Sequence, residues 1–263
     1  MISTTTTTIA QQEHFNCRLS GPAGVPLLVL SNSLGTNLSM WEEQLPALAQ
    51  RFCVLRYDTR GHGASSVTPG PYTVPQLGRD VLGLLDALKI DRVHFCGLSL
   101  GGMIGMWLAV NAANRVDRLV LANTAPQIGL PEVWNTRIEN VRKGGLEAIA
   151  DTVIERWFTR GFREREPEKV ARTRAMLVAT PPEGYIASCA AVRDMNQREA
   201  IRAIRHPTLV IAGTHDAVSP PAEGRKMAEA IAGAHYVELD AAHIANIEAP
   251  ERFTAELTGF LAG

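Results

Sequence analysis

Short apolar runs recur along this 263-residue chain, with helix-patterned segments between many of them, and this alternation restricts the fold more than any other feature. The runs are Leu27 to Leu30, Phe52 to Tyr57, Val93 to Cys96, Leu119 to Ala122, Thr208 to Ala212 and His235 to Leu239. Their continuous apolar character, in place of strict alternation, suits strands covered on both faces, as in a parallel sheet. Between two of them, Leu77, Val81, Leu84, Leu85 and Leu88 fall at helical spacing in the segment Val74 to Leu88. Gln11 to Leu19 reads as an antiparallel strand at one edge, and Met1 to Thr8 as a frayed, polar lead-in. The expected class is α/β, with a mostly parallel, doubly wound sheet.

The rhythm breaks between Ala125 and Asn196. No strand pattern occurs there, whereas Leu146 to Phe158 and Pro167 to Val178 carry helical patterns. Pro126 and Pro131 punctuate the start, and Pro181-Pro182-Glu183-Gly184 interrupts the end. A single crossover between parallel strands needs far fewer residues. The segment is therefore expected to be a helical cap, residues 125–196, inserted between two parts of one core, residues 1–124 and 197–263. The competing arrangement is a set of ordinary crossover helices on a sheet face.

Composition narrows the function. A formal charge of −1 gives no electrostatic footprint for nucleic acid, and no uninterrupted apolar stretch has the length that spans a bilayer. Cys17, Cys53, Cys96 and Cys189 lie far apart and the histidines lack metal-ligand spacing, so no disulfide framework or metal site is expected. The N-terminus has neither the basic start nor the apolar centre of a signal peptide, which points to a reducing, cytoplasmic setting. Nothing in the pattern sets the oligomeric state.

Chemistry enters at Gly97-Leu98-Ser99-Leu100-Gly101, which follows the run Val93 to Cys96 and precedes the apolar helical segment Gly102 to Ala109. Strand, one-residue corner and helix form the setting in which G-x-S-x-G marks a nucleophile elbow; an ordinary glycine-rich turn would spell the same letters. A serine hydroxyl attacks only when a base removes its proton. His243, just past the last apolar run, is the candidate base, and Asp216, after Thr208 to Ala212, the candidate orienting carboxylate. Both sit where α/β sheets place ligands, beyond the carboxyl ends of strands. His215 is a rival base, His62 reads as a structural histidine in a glycine-rich loop, and Asp240 as a turn cap. Leu100, at a helix start, and Leu34, in the loop Ser31-Asn32-Ser33-Leu34-Gly35, are the expected backbone donors of an oxyanion hole.

With these residues in order, the chain resembles the α/β-hydrolase superfamily from end to end. The matching segments are Tyr57 to Ser65, Gly97 to Gly102, Gly213 to Asp216 and Ala242-His243. Many relatives carry His-Gly where this chain has Asn32-Ser33. Leu30 to Thr36, with Met40-Trp41 and Leu45-Pro46-Ala47-Leu48, is similar to the 3-oxoadipate enol-lactonase family. That resemblance implies attack of Ser99 on the ring ester of an anionic enol-lactone, in the β-ketoadipate branch of bacterial aromatic degradation, without a cofactor. Other serine hydrolases on this scaffold, carboxylesterases or cofactor-free perhydrolases, are the alternative, and a non-catalytic ligand-binding homologue a more distant one. The substrate carboxylate requires a placed partner, since residues 132–199 hold 12 Lys/Arg against 11 Asp/Glu and create no basic field. Trp134 with Arg137, three residues apart on one helix face, and Arg193 are the candidates. The plainer expectation is that Trp134 packs the inserted segment while Arg137 stays in solvent.

Overall fold

A computed structural model describes residues 3–10 and 13–263. Met1 and Ile2, in the expected lead-in, and Gln11 and Gln12, at the start of the expected edge strand, lie outside the described residues. Strands β1 (Ser3–Ala10) and β2 (Glu13–Ser20) form an antiparallel pair. Ser3 to Thr8 is thus a paired strand and not a frayed lead-in. Its run of β-branched threonines favours extended backbone whatever its polarity.

Beyond this pair lie β3 (Leu27–Ser31), β4 (Cys53–Tyr57), β5 (Val93–Leu98), β6 (Val116–Ala122), β7 (Thr208–Gly213) and β8 (His235–Leu239). All are mutually parallel, in one eight-stranded sheet of order β1-β2-β4-β3-β5-β6-β7-β8. Strands β5 and β7 are buried along their whole length, whereas β8, at the edge, is mostly half-exposed. Each apolar run of the sequence became a strand, in several cases extended into neighbouring polar or glycine residues by ladder hydrogen bonding. The chain leaves β3 toward β4 and returns to β5 on its other side, so the strand order reverses between β3 and β5. The crevice at that switch point lies outside the carboxyl ends of both strands.

Helices α1 (Leu45–Leu48), α2 (Val74–Ala87) and α3 (Leu100–Asn111) belong to the first half of the core. Thr73 caps α2, its hydroxyl accepting from the Gln76 amide at 3.2 Å. Helix α3 buries most of its residues, as a helix apolar on nearly every side should when it packs against both the sheet and α2. Between the paired strands β6 and β7 the chain makes α4 (Pro131–Gly144), α5 (Glu147–Trp157), α6 (Arg160–Arg165), α7 (Pro167–Val178) and α8 (Pro182–Arg193). Helix α4 packs on α8 and α5, and α5 on α7. Helices α9 (Pro221–Ala230), α10 (Ala245–Glu248) and α11 (Pro250–Ala262) complete the chain.

Candidate active site

Ser99 sits between β5 and α3 with φ +56° and ψ −114°, a left-handed backbone that a residue with a Cβ occupies only under strain. The strain is held in place by packing. A Cβ on Gly97 would strike the Gly101 carbonyl, and one on Gly101 would strike Ser31 in the neighbouring strand. The glycines therefore let strand, helix and β3 close on one corner, and the Ser99 hydroxyl stands off it.

His243 Nε2 lies 2.9 Å from Ser99 Oγ and its Nδ1 lies 2.8 Å from Asp216 Oδ2. The carboxylate fixes the proton on Nδ1, which leaves Nε2 to accept from the serine hydroxyl. All three residues are buried. Burial would push the Asp216 carboxyl up, but His243 and the hydrogen bonds from Ser219 outweigh it and hold the group below the usual carboxylate range. Its oxygens accept from the amides of Val218 and Ser219 at 2.8 and 3.0 Å, and from Ser219 Oγ at 2.7 Å. Asn123 adds a further donor, at 3.1 Å from Asp216 Oδ2 and 3.1 Å from the Ala242 carbonyl. Asn123 has φ +45° at the end of β6, a strained position that aims its amide across β7. The rival His215 instead meets Asp240 at the surface, 2.8 Å away.

The amides beside the reacting hydroxyl are sorted by what their neighbours do. In the β3 loop, the Ser33 N–H donates to Met40 Sδ (3.4 Å) and the Gly35 N–H to His62 Nε2 (3.0 Å). At the elbow, the Ser99 N–H donates to the Ala122 carbonyl (2.9 Å) and the Gly101 N–H to the Asn32 carbonyl (3.0 Å). Leu34 and Leu100 lie between these pairs, and their amides make no hydrogen bond among the described residues. Asn32 braces the loop further, donating to the Tyr57 carbonyl at 2.6 Å and accepting from Trp41 Nε1 at 2.9 Å. Met40 and Trp41 thus hold the loop from one side and His62 from the other.

Residues 26–250 match the family model described as alpha/beta hydrolase fold. The chain belongs to that family. Among the relatives of this α/β-hydrolase is 3-oxoadipate enol-lactonase 2 of Acinetobacter baylyi, 44% identical over 94% of this chain and 92% of that protein. The 3-oxoadipate enol-lactonase 1 of the same organism is 38% identical over 95% and 94%. The crystal structure of the enol-lactonase from Burkholderia xenovorans LB400 superposes with a TM-score of 0.96 at 49% identity, over 98% of this chain and all of that one.

In this α/β-hydrolase helices α4, α5 and α8, from the segment between β6 and β7, contribute side chains beside the reacting groups. Ser99, His243 and Leu34 share a narrow cavity of about 20 Å³ with Trp134, Arg137, Arg156, Trp157 and Tyr185. Trp134 is buried and its indole N–H is spent on the Ile128 carbonyl at 2.7 Å, so it offers the cavity a ring and no donor. The Arg137 guanidinium lies 4.9 Å over that ring, half-buried, with no carboxylate partner among the described residues. It is therefore not in open solvent. Arg193 is elsewhere. Its guanidinium is captured by Asp194 at 2.7 and 2.8 Å and by Asn135 at 2.9 Å, and it lines a separate depression of about 650 Å³.

Among the contributors to the site that escaped the sequence reading are Asn123, Arg156 and Glu248. Asn123 gave no motif, although an asparagine at the end of the strand beside Asp216's own was a usable signal. Arg156 sits among many charged residues of the inserted segment. Glu248 lies five residues beyond His243 and binds the Ala242 amide (2.8 Å), the Thr159 amide (3.1 Å) and the Thr159 hydroxyl. Among the described residues no cluster of three or more His, Cys, Asp or Glu side chains is arranged to hold a metal ion. No helix among them is long and apolar enough to cross a membrane.

Proposed function

We propose that this α/β-hydrolase opens 3-oxoadipate enol-lactone to 3-oxoadipate through an acyl-enzyme on Ser99. The observation that carries the reading is the unbroken relay Ser99–His243–Asp216, in a chain akin to named enol-lactonases and with two neighbouring amides, Leu34 and Leu100, left without an internal hydrogen bond. Ser99 Oγ attacks the ring carbonyl while His243 Nε2 takes its proton. Negative charge on the carbonyl oxygen is received by the Leu34 and Leu100 N–H groups, and each such donor is worth about 2.7–4 kcal/mol in the transition state. The ring C–O bond breaks, His243 returns the proton, and the released enol collapses to a ketone. Water, deprotonated by the same imidazole, then cleaves the acyl-serine ester and frees the new carboxylate. Every step uses the chain's own groups and water.

In this reading residues 125–196 act as a cap on a core built from residues 1–124 and 197–263. Trp134 supplies an aromatic wall, and Arg137 receives the carboxylate that the substrate already carries. The polar arms of that recognition are short and fixed, since Arg137 is stacked before any ligand arrives. Four cysteines, three of them buried and none in a disulfide among the described residues, support a reducing, cytoplasmic setting.

The test is direct assay on the enol-lactone with Ser99→Ala as control, beside p-nitrophenyl esters. Turnover of the lactone well above that of the esters, abolished in S99A, is expected. Equal or better turnover of simple esters would replace the lactonase reading with a general esterase. Arg137→Ala should raise KM for the anionic lactone far more than for a neutral ester; equal effects on both would remove that role from Arg137.

A further inference from the structure

The cavity at Ser99 is narrow, with about 20 Å³ of free volume, room for roughly one water molecule. A lactone reaches Ser99 only by displacing something. The deeper wall is a poor candidate, because Ser33 is held by Met40 Sδ and Ser99 by the Ala122 carbonyl at the end of β6. The large depression that Arg193 lines shares no residue with the cavity. A depression of about 290 Å³ on the outer face of α4 and α5 does. Arg137, Val153 and Arg156 line both spaces, so they form the partition between bulk solvent and the reacting hydroxyl.

Charge is segregated around this partition. The acidic side chains of α5 are engaged elsewhere: Glu147 and Asp151 with Arg174 at 2.7 and 2.9 Å, and Glu155 with Arg163 at 3.9 Å. Arg156, exposed, has neither an ion pair nor a hydrogen bond among the described residues. No Asp or Glu lines either space. The outer depression is lined by Val133, Ala148 and Ile149 together with Thr136, Asn140 and Thr152. A neck of two arginines over a neutral, mixed lining suits a small organic anion, and it attracts one before contact, since local potential raises the encounter rate with an opposite charge.

We propose that Arg156 is the gate residue of an anion-selective portal between α4 and α5. It draws the substrate carboxylate inward and passes it to Arg137. This rests on the lactonase reading for the identity of the anion but not for its charge. Arg156 is a specificity-determining residue, long and unpartnered, and its rotation opens the cavity without moving the helices.

The experiment compares R156Q and R156K with the unaltered enzyme on two substrate pairs matched in shape and differing in charge. One pair is 3-oxoadipate enol-lactone and α-angelica lactone, the same ring bearing a neutral methyl group. The other is p-nitrophenyl hemisuccinate and p-nitrophenyl butyrate. Active serine is titrated in each preparation, so misfolded protein does not enter the rates. In R156Q the anion-to-neutral ratio of kcat/KM should fall about tenfold, within the range expected of electrostatic steering. The salt dependence of kcat/KM for the anion should flatten, and R156K should restore both. An unchanged ratio with an unchanged salt dependence overturns the portal. Failure of the unaltered enzyme on both lactones, with the charge effect kept on the ester pair, removes the lactonase reading and leaves the portal standing.

Discussion

Burial keeps the His62 imidazole below its ordinary pKa, and the neutral ring is what the oxyanion loop requires. Nε2 must accept from the Gly35 N–H, so the proton rests on Nδ1, which donates to the Arg60 carbonyl at 3.1 Å. A depressed histidine pKa adds stability that is complete above the ordinary value of about 6.5 and lost as pH falls through the lower folded value. Urea unfolding of the unaltered protein should therefore weaken from pH 7 to pH 5, and His62→Gln should remove part of that slope. His62→Ala leaves a buried amide unpaired, at a cost of about 1–3 kcal/mol, and kcat should fall more than KM rises because the Leu34 donor shifts. At Asp216 the same reasoning runs through orientation. Asp216→Asn should lower kcat by about 10⁴, the effect of a reversed imidazole tautomer, with Ser99 still in place. A single-turnover measurement of acylation checks it.

At the scale of elements, the loop bearing His243 is tied to the inserted helices as firmly as to its own strand. The Ile244 N–H donates to the Trp157 carbonyl at the end of α5 (3.1 Å), and Glu248 bridges Ala242 to Thr159, which caps α6. Movement of α5 and α6 is thereby felt at the base. Glu248→Ala removes several hydrogen bonds to a charged acceptor, each worth about 1.5–3 kcal/mol. Amide exchange at Ala242 and Thr159 should quicken together and kcat should drop, while Glu248→Gln, which keeps an acceptor, should recover part of both. Exchange that quickens at one amide and not the other would break the link. The elements themselves were largely legible in advance, because each apolar run and each helical period is a local property. Ser3 to Thr8 is the instructive exception. Polarity suggested a loose end, but β-branching and a pairing partner in β2 made a strand.

Across the whole molecule, Arg60 joins the edge hairpin to the core. Its guanidinium, buried beside Phe15, meets Asp80 of α2 at 2.5 and 2.8 Å and Glu13 of β2 at 2.6 Å, and these carboxylates hold it firmly charged. Arg60→Ala strands a buried carboxylate and should cost about 3–5 kcal/mol. For a chain of this size that corresponds to a Tm lower by roughly 10 °C, measurable by calorimetry. The strand succession, the strained serine corner and the chain order Ser99, Asp216, His243 were readable from local pattern, since each member follows its own strand and parallel strands gather their carboxyl ends on one edge. Side-chain recognition was not readable in that way. Arg137 was the first candidate in the sequence and Arg193 the second, and the sequence showed no reason to exclude either; α4 turns one over Trp134 beside the cavity at Ser99, while a neighbouring aspartate captures the other. Arg156 and Glu248 had no signal at all, because their roles come from the packing of α4, α5 and α10 around the switch point. Strand order follows from hydrophobic period, but the direction of a long charged side chain depends on the contacts its helix makes far away in sequence.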